Sequence, residues 1–501
     1  MGERQNRHSI ISALLIIVAI IGSVSLTDRT IACDIAVISG KMTTTGRPII
    51  WKNRDHSAAW QQELVYYNAV KPEVGASLRI MDRNNIWLDS EGEGDEFDYF
   101  AFAPVMSGGL NESGFAITNT TVYEDNPIRE YIMNANVYLM EQALEKCQTV
   151  NDFDEMIAKF HATLLNFDKV ISGNFVVLDA QGGAALYELW TPDDSFLLPI
   201  SVRKFDANSL EDAPHGYVNR TNSNYFIQRT SDDRREERGH AILETLYQQN
   251  ALSVENILTE LAKDVCGDDI VAGETLPTKD PDNNDPNNFD TTYCISRYET
   301  NFAMVVDGAA EGESPAFTTF WLNLGEPSIG VATPHFVAAH NVTPYVWAES
   351  DLESTNPVDA STTCALNQMI NDTELTMYSN NISPNLFVAM DSGIDYEVLL
   401  DIQTWTIPLE KDVIKHTYDL LEQYRTGALP EGKTLEKALY DLSHYTAGFV
   451  YKNYTNQSAS FEAWHFGEPS EEDDLTDNND IPFIPSFTQF MIWLLNIFSK
   501  L

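Results

Sequence analysis

Residues 33–55 read CDIAVISGKMTTTGRPIIWKNRD. Cys33 to Ser39 alternates and is rich in β-formers such as Ile35 and Val37. Pro48 to Trp51 is a second β-rich run, and Thr43 to Gly46 supplies turn residues between them. The pattern predicts a hairpin whose returning strand carries Trp51-Lys52-Asn53-Arg54-Asp55 back toward Cys33. Cys33 directly follows Thr30-Ile31-Ala32 at the end of an apolar leader. If the chain is cut after Ala32, Cys33 becomes its first residue. Thiol and free α-amine then sit on one residue, a nucleophile with its own base attached.

The leader has the layout of a signal peptide over residues 1–32. Arg4, Arg7 and His8 form a basic start, Ile10 to Leu26 is almost wholly apolar, and Thr30 and Ala32 are small residues at a peptidase exit. The expected localisation is secreted or extracytoplasmic. Two alternatives stay open. One is a retained anchor, although the apolar run is short against the ~20 residues of a bilayer span. The other is a lipoprotein signal that acylates Cys33. Against it stand Thr30, where leucine is usual, and the polar Thr27-Asp28-Arg29 ahead of the cysteine.

The 501 residues are 43% apolar, enough for one large domain or two with a sizeable core. Against 31 Lys and Arg stand 75 Asp and Glu, a net charge of −44. No basic stripe exists to displace the counterions of a nucleic acid, so nucleic acid is excluded as a partner. An acidic solvated surface suits secretion or a saline setting. Five cysteines are present: Cys33, Cys147, Cys266, Cys294 and Cys364. With Cys33 free, the other four allow two disulfides in three connectivities. Cys266 with Cys294 brackets one acidic loop, and Cys147 with Cys364 would follow. The alternative is buried free thiols. The Asn341-Val-Thr and Asn453-Tyr-Thr sequons fit export.

Strands are expected at Ala101 to Val105 and Gly114 to Val122 around a Gly108 to Gly114 turn. Helices follow at Glu130 to Cys147 and Phe153 to Leu165, then a hairpin over Asn174 to Trp190 and two helices within Glu236 to Ala262. Gly267 to Asp290 reads as an exposed loop. Strands return at Ala303 to Val306 and Thr318 to Leu324, with amphipathic helices at Leu409 to Tyr424 and Leu435 to Val450. Blocks of strands and blocks of helices, without regular βα alternation, favour α+β layering. The main domain is placed at 33–465. An acidic linker follows at 466–486, and then an apolar tail at 487–501, either a packed terminal helix or a segment in contact with a membrane.

An N-terminal cysteine that attacks an amide needs a group to hold its amine, donors for the oxyanion and a cation to favour thiolate. Asp55 lies on the returning strand, where a hairpin brings it beside Cys33. Lys52 and Arg54 alternate with it. Asn119 and Asn222 are amide donors in turn-rich stretches, and Arg297 is a further cation. Asp280 to Asp285 lacks the glycine and closing glutamate of a calcium loop. His335 and His340 lack ligand spacing.

These blocks, Cys33 with ISGKMTTTGRPIIWKNRD, then GGLNESGFAITNT, then RTNSNYF, resemble the N-terminal-nucleophile (Ntn) hydrolases. The branch is the linear amide C–N hydrolases: choloylglycine hydrolase, penicillin V acylase and, nearest, the acyl-CoA:6-aminopenicillanic acid acyltransferase-like proteins. The resemblance spans roughly Cys33 to Pro334. It implies a four-layer αββα sandwich with C-terminal helical elaboration and no cofactor or metal. It further implies Cys33 as nucleophile, Asp55 orienting the amine, and Asn119 and Asn222 at the oxyanion hole, the first largely through its backbone. Arg297 would be an active-site arginine, with Lys52 and Arg54 toward a small-molecule amide substrate. Asp34 departs from the pattern, standing where relatives often have Thr or another small residue. So does Lys52, where choloylglycine hydrolases have Arg. Hydrolysis, acyl transfer and dipeptide cleavage all fit this reading, and a lipid-anchored binding protein is the rival from another class.

Overall fold

The computed structural model describes residues 33–55, 62–69, 75–82, 86–87, 100–101, 106–122, 136–160, 171–191, 200–226, 234–265, 278–279, 288–291, 294–297, 300–347, 365–366, 369–370 and 393–456. The leader, the acidic linker, the apolar tail, Cys266 and Cys364 lie outside them.

Thirteen strands build two antiparallel sheets. In chain order they are β1 (Cys33–Ile38), β2 (Ile49–Asp55), β3 (Gln62–Tyr67), β4 (Ser77–Asp82), β5 (Met106–Asn111), β6 (Ala116–Thr121) and β7 (Ser172–Leu178). There follow β8 (Ala184–Trp190), β9 (Ser201–Asp206), β10 (Tyr217–Arg220), β11 (Thr300–Asp307), β12 (Thr319–Leu324) and β13 (Thr333–His335). The first sheet has the order β10-β1-β2-β11-β12-β13, and the second β9-β8-β7-β6-β5-β4-β3. Face to face, β1 lies over β6, β7 and β8. The helices are α1 (Asn136–Lys146), α2 (Val150–Phe160), α3 (Arg234–Gln248), α4 (Tyr396–Arg425) and α5 (Leu435–Asn456). α1 covers β5 and β6 from outside, while α3 covers β10 and β1, and α5 covers β13. The expected α+β fold with αββα layering and added C-terminal helices is therefore what the described residues form.

Both faces of β1 and β2 are covered, which is why every residue of both strands is buried. One apolar cluster fills the space between the sheets and continues under α3 and α4. A second, including Ile117, Leu139, Phe153, Phe175 and Tyr187, glues α1 and α2 to the outer face of the second sheet. At ~1.5–3 kcal/mol per fully buried large apolar side chain, this burial is the main favourable term.

Three expectations change. Gly108 and Gly109 are not turn residues but lie within β5. A Cβ on Gly109 would meet Leu144 Cδ1 at 2.6 Å, and one on Gly108 would meet Met304 Sδ at 2.9 Å. These glycines serve close approach of packed layers rather than a bend, and the turn itself is Glu112–Gly114, with Gly114 at φ +81°. α4 runs through Pro408, where the sequence suggests a helix boundary. Cys147 is a free, buried thiol, and Cys364, its expected partner, lies outside the described residues. Burial pushes that thiol up to about 12, the behaviour of an inert core cysteine. The Asn453 sequon is also closed, since its side chain is buried in α5 and donates to Phe449 O at 2.9 Å.

Candidate active site

Register decides which groups meet the thiol. Cys33 pairs with Arg54, Asp34 with Asn53, and Ile35 with Lys52. Directly opposed residues of an antiparallel pair project to the same face, and successive residues alternate. Lys52 Nζ donates to Ser107 O of β5 at 3.1 Å, and Arg54 forks onto Asp82 of β4, with Nη2 to Oδ2 at 2.6 Å. That face is the space between the sheets, and Cys33 shares it. Asn53 Nδ2 instead reaches Ala262 O at 2.9 Å and Ile295 O at 3.2 Å on the helical side. Asp34 and Asp55 share that second face.

On the thiol's face Arg54 is saturated by Asp82, so its charge is spent internally. Lys52 is the cation left toward Cys33. Burial pulls Lys52 down to about 8, opposed by attraction to Cys33. Burial likewise pushes the Cys33 thiol up, with Lys52 opposing. Only 5% of Cys33 and 2% of Lys52 is exposed, and Arg54 is equally enclosed. Lys52 and Arg54, expected toward substrate, are each engaged within the protein, one with a carbonyl and the other in an ion pair.

On the helical face Asp55 is held from three directions. Arg297 Nε donates to Oδ2 at 2.7 Å, Arg235 Nη1 to the same oxygen at 3.1 Å, and Thr300 Oγ1 to Oδ1 at 2.5 Å. Arg297 is thus brought to the site as expected. The backbone N–H of Cys33 does not go to Asp55 but donates to Asn222 Oδ1 at 2.8 Å.

The Asn222 amide has one orientation that satisfies all its neighbours. Cys33 N–H and Arg235 Nη2 (3.1 Å) are donors, so the atom facing them is the oxygen. Thr121 O is an acceptor, so the atom 2.6 Å from it is the nitrogen. Asn222 Nδ2 therefore donates one of its two N–H groups to a carbonyl, and the second is the one that bears on the oxyanion role expected from sequence. Its oxygen at the same time holds the nitrogen of Cys33. Asn119 lies on β6, at the end where Thr120 Oγ1 reaches Thr221 O at 2.5 Å. It has the parity of Ile117, which packs among the α1 and α2 residues, so its side chain points away from the space between the sheets. What it can offer toward Cys33 is backbone.

Arg235, Thr300, Asp82 and Glu326 enter the site without having been singled out. Glu326 is buried, receives Ser296 Oγ at a short hydrogen bond and the Ser328 N–H at 3.0 Å, and is pushed up to about 7 by burial. Asp34 is also pushed up to about 7 by burial, with Arg235 opposing most strongly. The RREER run holding Arg235 carried one usable signal, a dense cationic start to a helix shortly after Asn222.

No protein-family model matches the chain, and no curated protein sequence matches it. Among solved structures it is similar to a Caenorhabditis elegans ortholog of N-acylethanolamine-hydrolyzing acid amidase, at 11% identity over 56% of this chain and 93% of that one, with a TM-score of 0.29. A mutant of the conjugated bile acid hydrolase of Clostridium perfringens gives 12%, 58%, 89% and 0.31 for the same measures. Penicillin V acylase of Agrobacterium tumefaciens gives 11%, 61%, 86% and 0.27.

Proposed function

We propose that this protein is an exported amide hydrolase whose nucleophile is an N-terminal Cys33, released by cleavage after Ala32. The observation that carries the reading is the placement of Cys33. It is the first residue of a fully buried central strand, with its nitrogen held by Asn222 Oδ1 and Lys52 on the thiol's face. In the released form the α-amine, pKa near ~7.7 when free, takes the proton from Sγ. Sγ attacks the amide carbon, and the C–N bond breaks as the ammonium returns its proton to the leaving nitrogen. The thioester is then attacked by water, which gives its proton to the same amine, and the acid leaves. An acceptor amine in place of water would make the same intermediate a transferase. Lys52 offsets charge on sulfur. The second N–H of Asn222 Nδ2, the first being donated to Thr121 O, and the backbone N–H of Asn119 receive the oxyanion.

The enclosure of Cys33 speaks against the lipid-anchored alternative, because an acyl chain on Sγ would have to leave a strand buried on both faces. The test is the intact N-terminal mass of the purified protein, followed by a panel of N-acyl amides and dipeptides. A free Cys33 and turnover that falls by roughly 10³-fold or more in Cys33→Ala are expected. A diacylglyceryl adduct, or a mutant that turns over unchanged, overturns the reading.

A further inference from the structure

Arg235 joins Asn222, which holds the nitrogen of Cys33, to two carboxylates beside it. Its Nη1 donates to Asp34 Oδ2 at 2.9 Å and to Asp55 Oδ2 at 3.1 Å, and its Nη2 donates to Asn222 Oδ1 at 3.1 Å. It comes from the first turn of α3, yet its side chain is only 11% exposed. Asp34 is 3% exposed and its second oxygen, Oδ1, is buried with no hydrogen-bond partner. An under-satisfied buried carboxylate costs stability, so its retention next to the reactive residue calls for a use.

We propose that Asp34 and Arg235 form a positioning pair that locks Asn222 onto the Cys33 nitrogen and sets the charge felt at Cys33. The pair rests on the nucleophile reading above and adds the residues that aim it. Asp34 fixes the guanidinium from β1, and the guanidinium fixes the Asn222 oxygen toward the Cys33 N–H. Asp55 shares the same guanidinium, so the two carboxylates and the amide are held as one rigid fork, the geometry a guanidinium provides and an ammonium does not.

The pair also has an electrostatic consequence with a definite sign. The charged groups facing Cys33 and Asp34 are Lys52, Arg54 and Asp55 from β2, Arg235 and Glu236 from α3, and Arg297. Asp82 neutralises Arg54, and Glu326 acts on the set through Asp55. Removing the Arg235 cation leaves Asp34 and Asp55 short of a partner and makes proton loss at Cys33 harder. Removing the Asp34 anion makes it easier. A scaffolding role alone predicts damage of one kind from both changes; the pair predicts opposite shifts.

The experiment is the pH dependence of Cys33 alkylation by iodoacetamide, read by mass spectrometry on the full-length expressed protein and its variants. It needs no substrate. Arg235→Gln is expected to move the profile to higher pH by about one unit, and Asp34→Asn to lower pH by about half to one unit. Arg235→Lys keeps the charge and so leaves the profile near that of the parent. Its single ammonium cannot hold three acceptors, so turnover of whichever amide the panel identifies falls about tenfold in kcat with KM little changed. Profiles that superimpose for Asp34→Asn, Arg235→Gln and the parent, or that shift in the same direction, overturn the pair. Opposite shifts together with an inactive amide panel leave the pair standing and remove the hydrolase reading instead.

Discussion

The two ends of the first sheet hold similar clusters of buried charge and do different things with them. β2 and β11 run between them, since Thr300 pairs with Asp55 at one end and Asp307 with Ile49 at the other. At the Cys33 end Asp34 and Asp55 meet Arg235 and Arg297. At the far end Tyr418 donates to Asp307 Oδ2 at 2.8 Å, while Glu313 receives Arg47 Nη2 at 2.8 Å and also Arg425. Both ends carry a buried carboxylate pushed up by desolvation, Asp34 to about 7 and Asp307 to about 6. Shifted carboxylates and arginines therefore do not by themselves mark a site. The far cluster fastens α4 to the sheet through Tyr418 and Arg425. The near cluster surrounds the first residue of a strand, and its polar atoms converge on a nitrogen and a thiol.

The same chemical change made at both ends separates these roles. Asp55→Asn removes the anion that Arg235 and Arg297 share, and loss of the group that orients the base is expected to lower kcat by about 10²–10³-fold. Asp307→Asn keeps an acceptor for Tyr418 and is expected to leave kcat within about twofold. Steady-state kinetics of the two variants, with circular dichroism confirming folded protein, checks this. Equal losses at both ends would erase the distinction.

The near end was legible in sequence wherever its signal was local. The hairpin, the leader and Asp55 one step beyond Arg54 all follow from short-range pattern, because a hairpin fixes its own register. What could not be read depends on partners far along the chain. Arg235 looks like any charged start of a surface helix until α3 packs against β1. Strands Gln62–Tyr67 and Ser77–Asp82 carry buried Glu63, Arg79 and Asp82, so their polar residues hide the apolar alternation. Asp82 is tolerated there only because Arg54 meets it across the sheets. The Asn222 amide was identified, but its orientation is set by Arg235 and Thr121 rather than by its own neighbours in sequence.

A second expected outcome concerns stability at the far end. The Asp307 carboxyl is raised from 3.8 to about 6 by burial. Between those values the folded protein keeps a proton that the unfolded chain has released. Low pH therefore favours folding at this residue, and the advantage is lost as pH rises through about 6. Asn at this position does not titrate. The unfolding free energy of Asp307→Asn relative to the parent should accordingly grow between pH 4 and pH 7, by at most about 3 kcal/mol. Asp34 and Glu326 titrate in both proteins and cancel in the difference. Urea unfolding at several pH values measures it; a difference that stays flat across this range would mean that Asp307 stays ionised in the folded state.

The smallest expected effect returns to the thiol's face. Lys52 is pulled down to about 8 by burial, so its positive charge fades as pH rises past that value. If that charge offsets thiolate at Cys33, the parent loses activity on the alkaline side for want of a cation while its nucleophile is still competent. Arg in the same place stays charged across this range. Lys52→Arg is therefore expected to keep its plateau to at least one pH unit higher than the parent, a difference of about tenfold in rate at pH 9. Its rate at pH 7 should fall by no more than about tenfold, the guanidinium having to find Ser107 O, the partner of Lys52 Nζ, from a bulkier head. Coincident alkaline limbs in kcat against pH would remove Lys52 as the cation that matters. They would leave the Asp34–Arg235 side as the sole source of electrostatic control over Cys33.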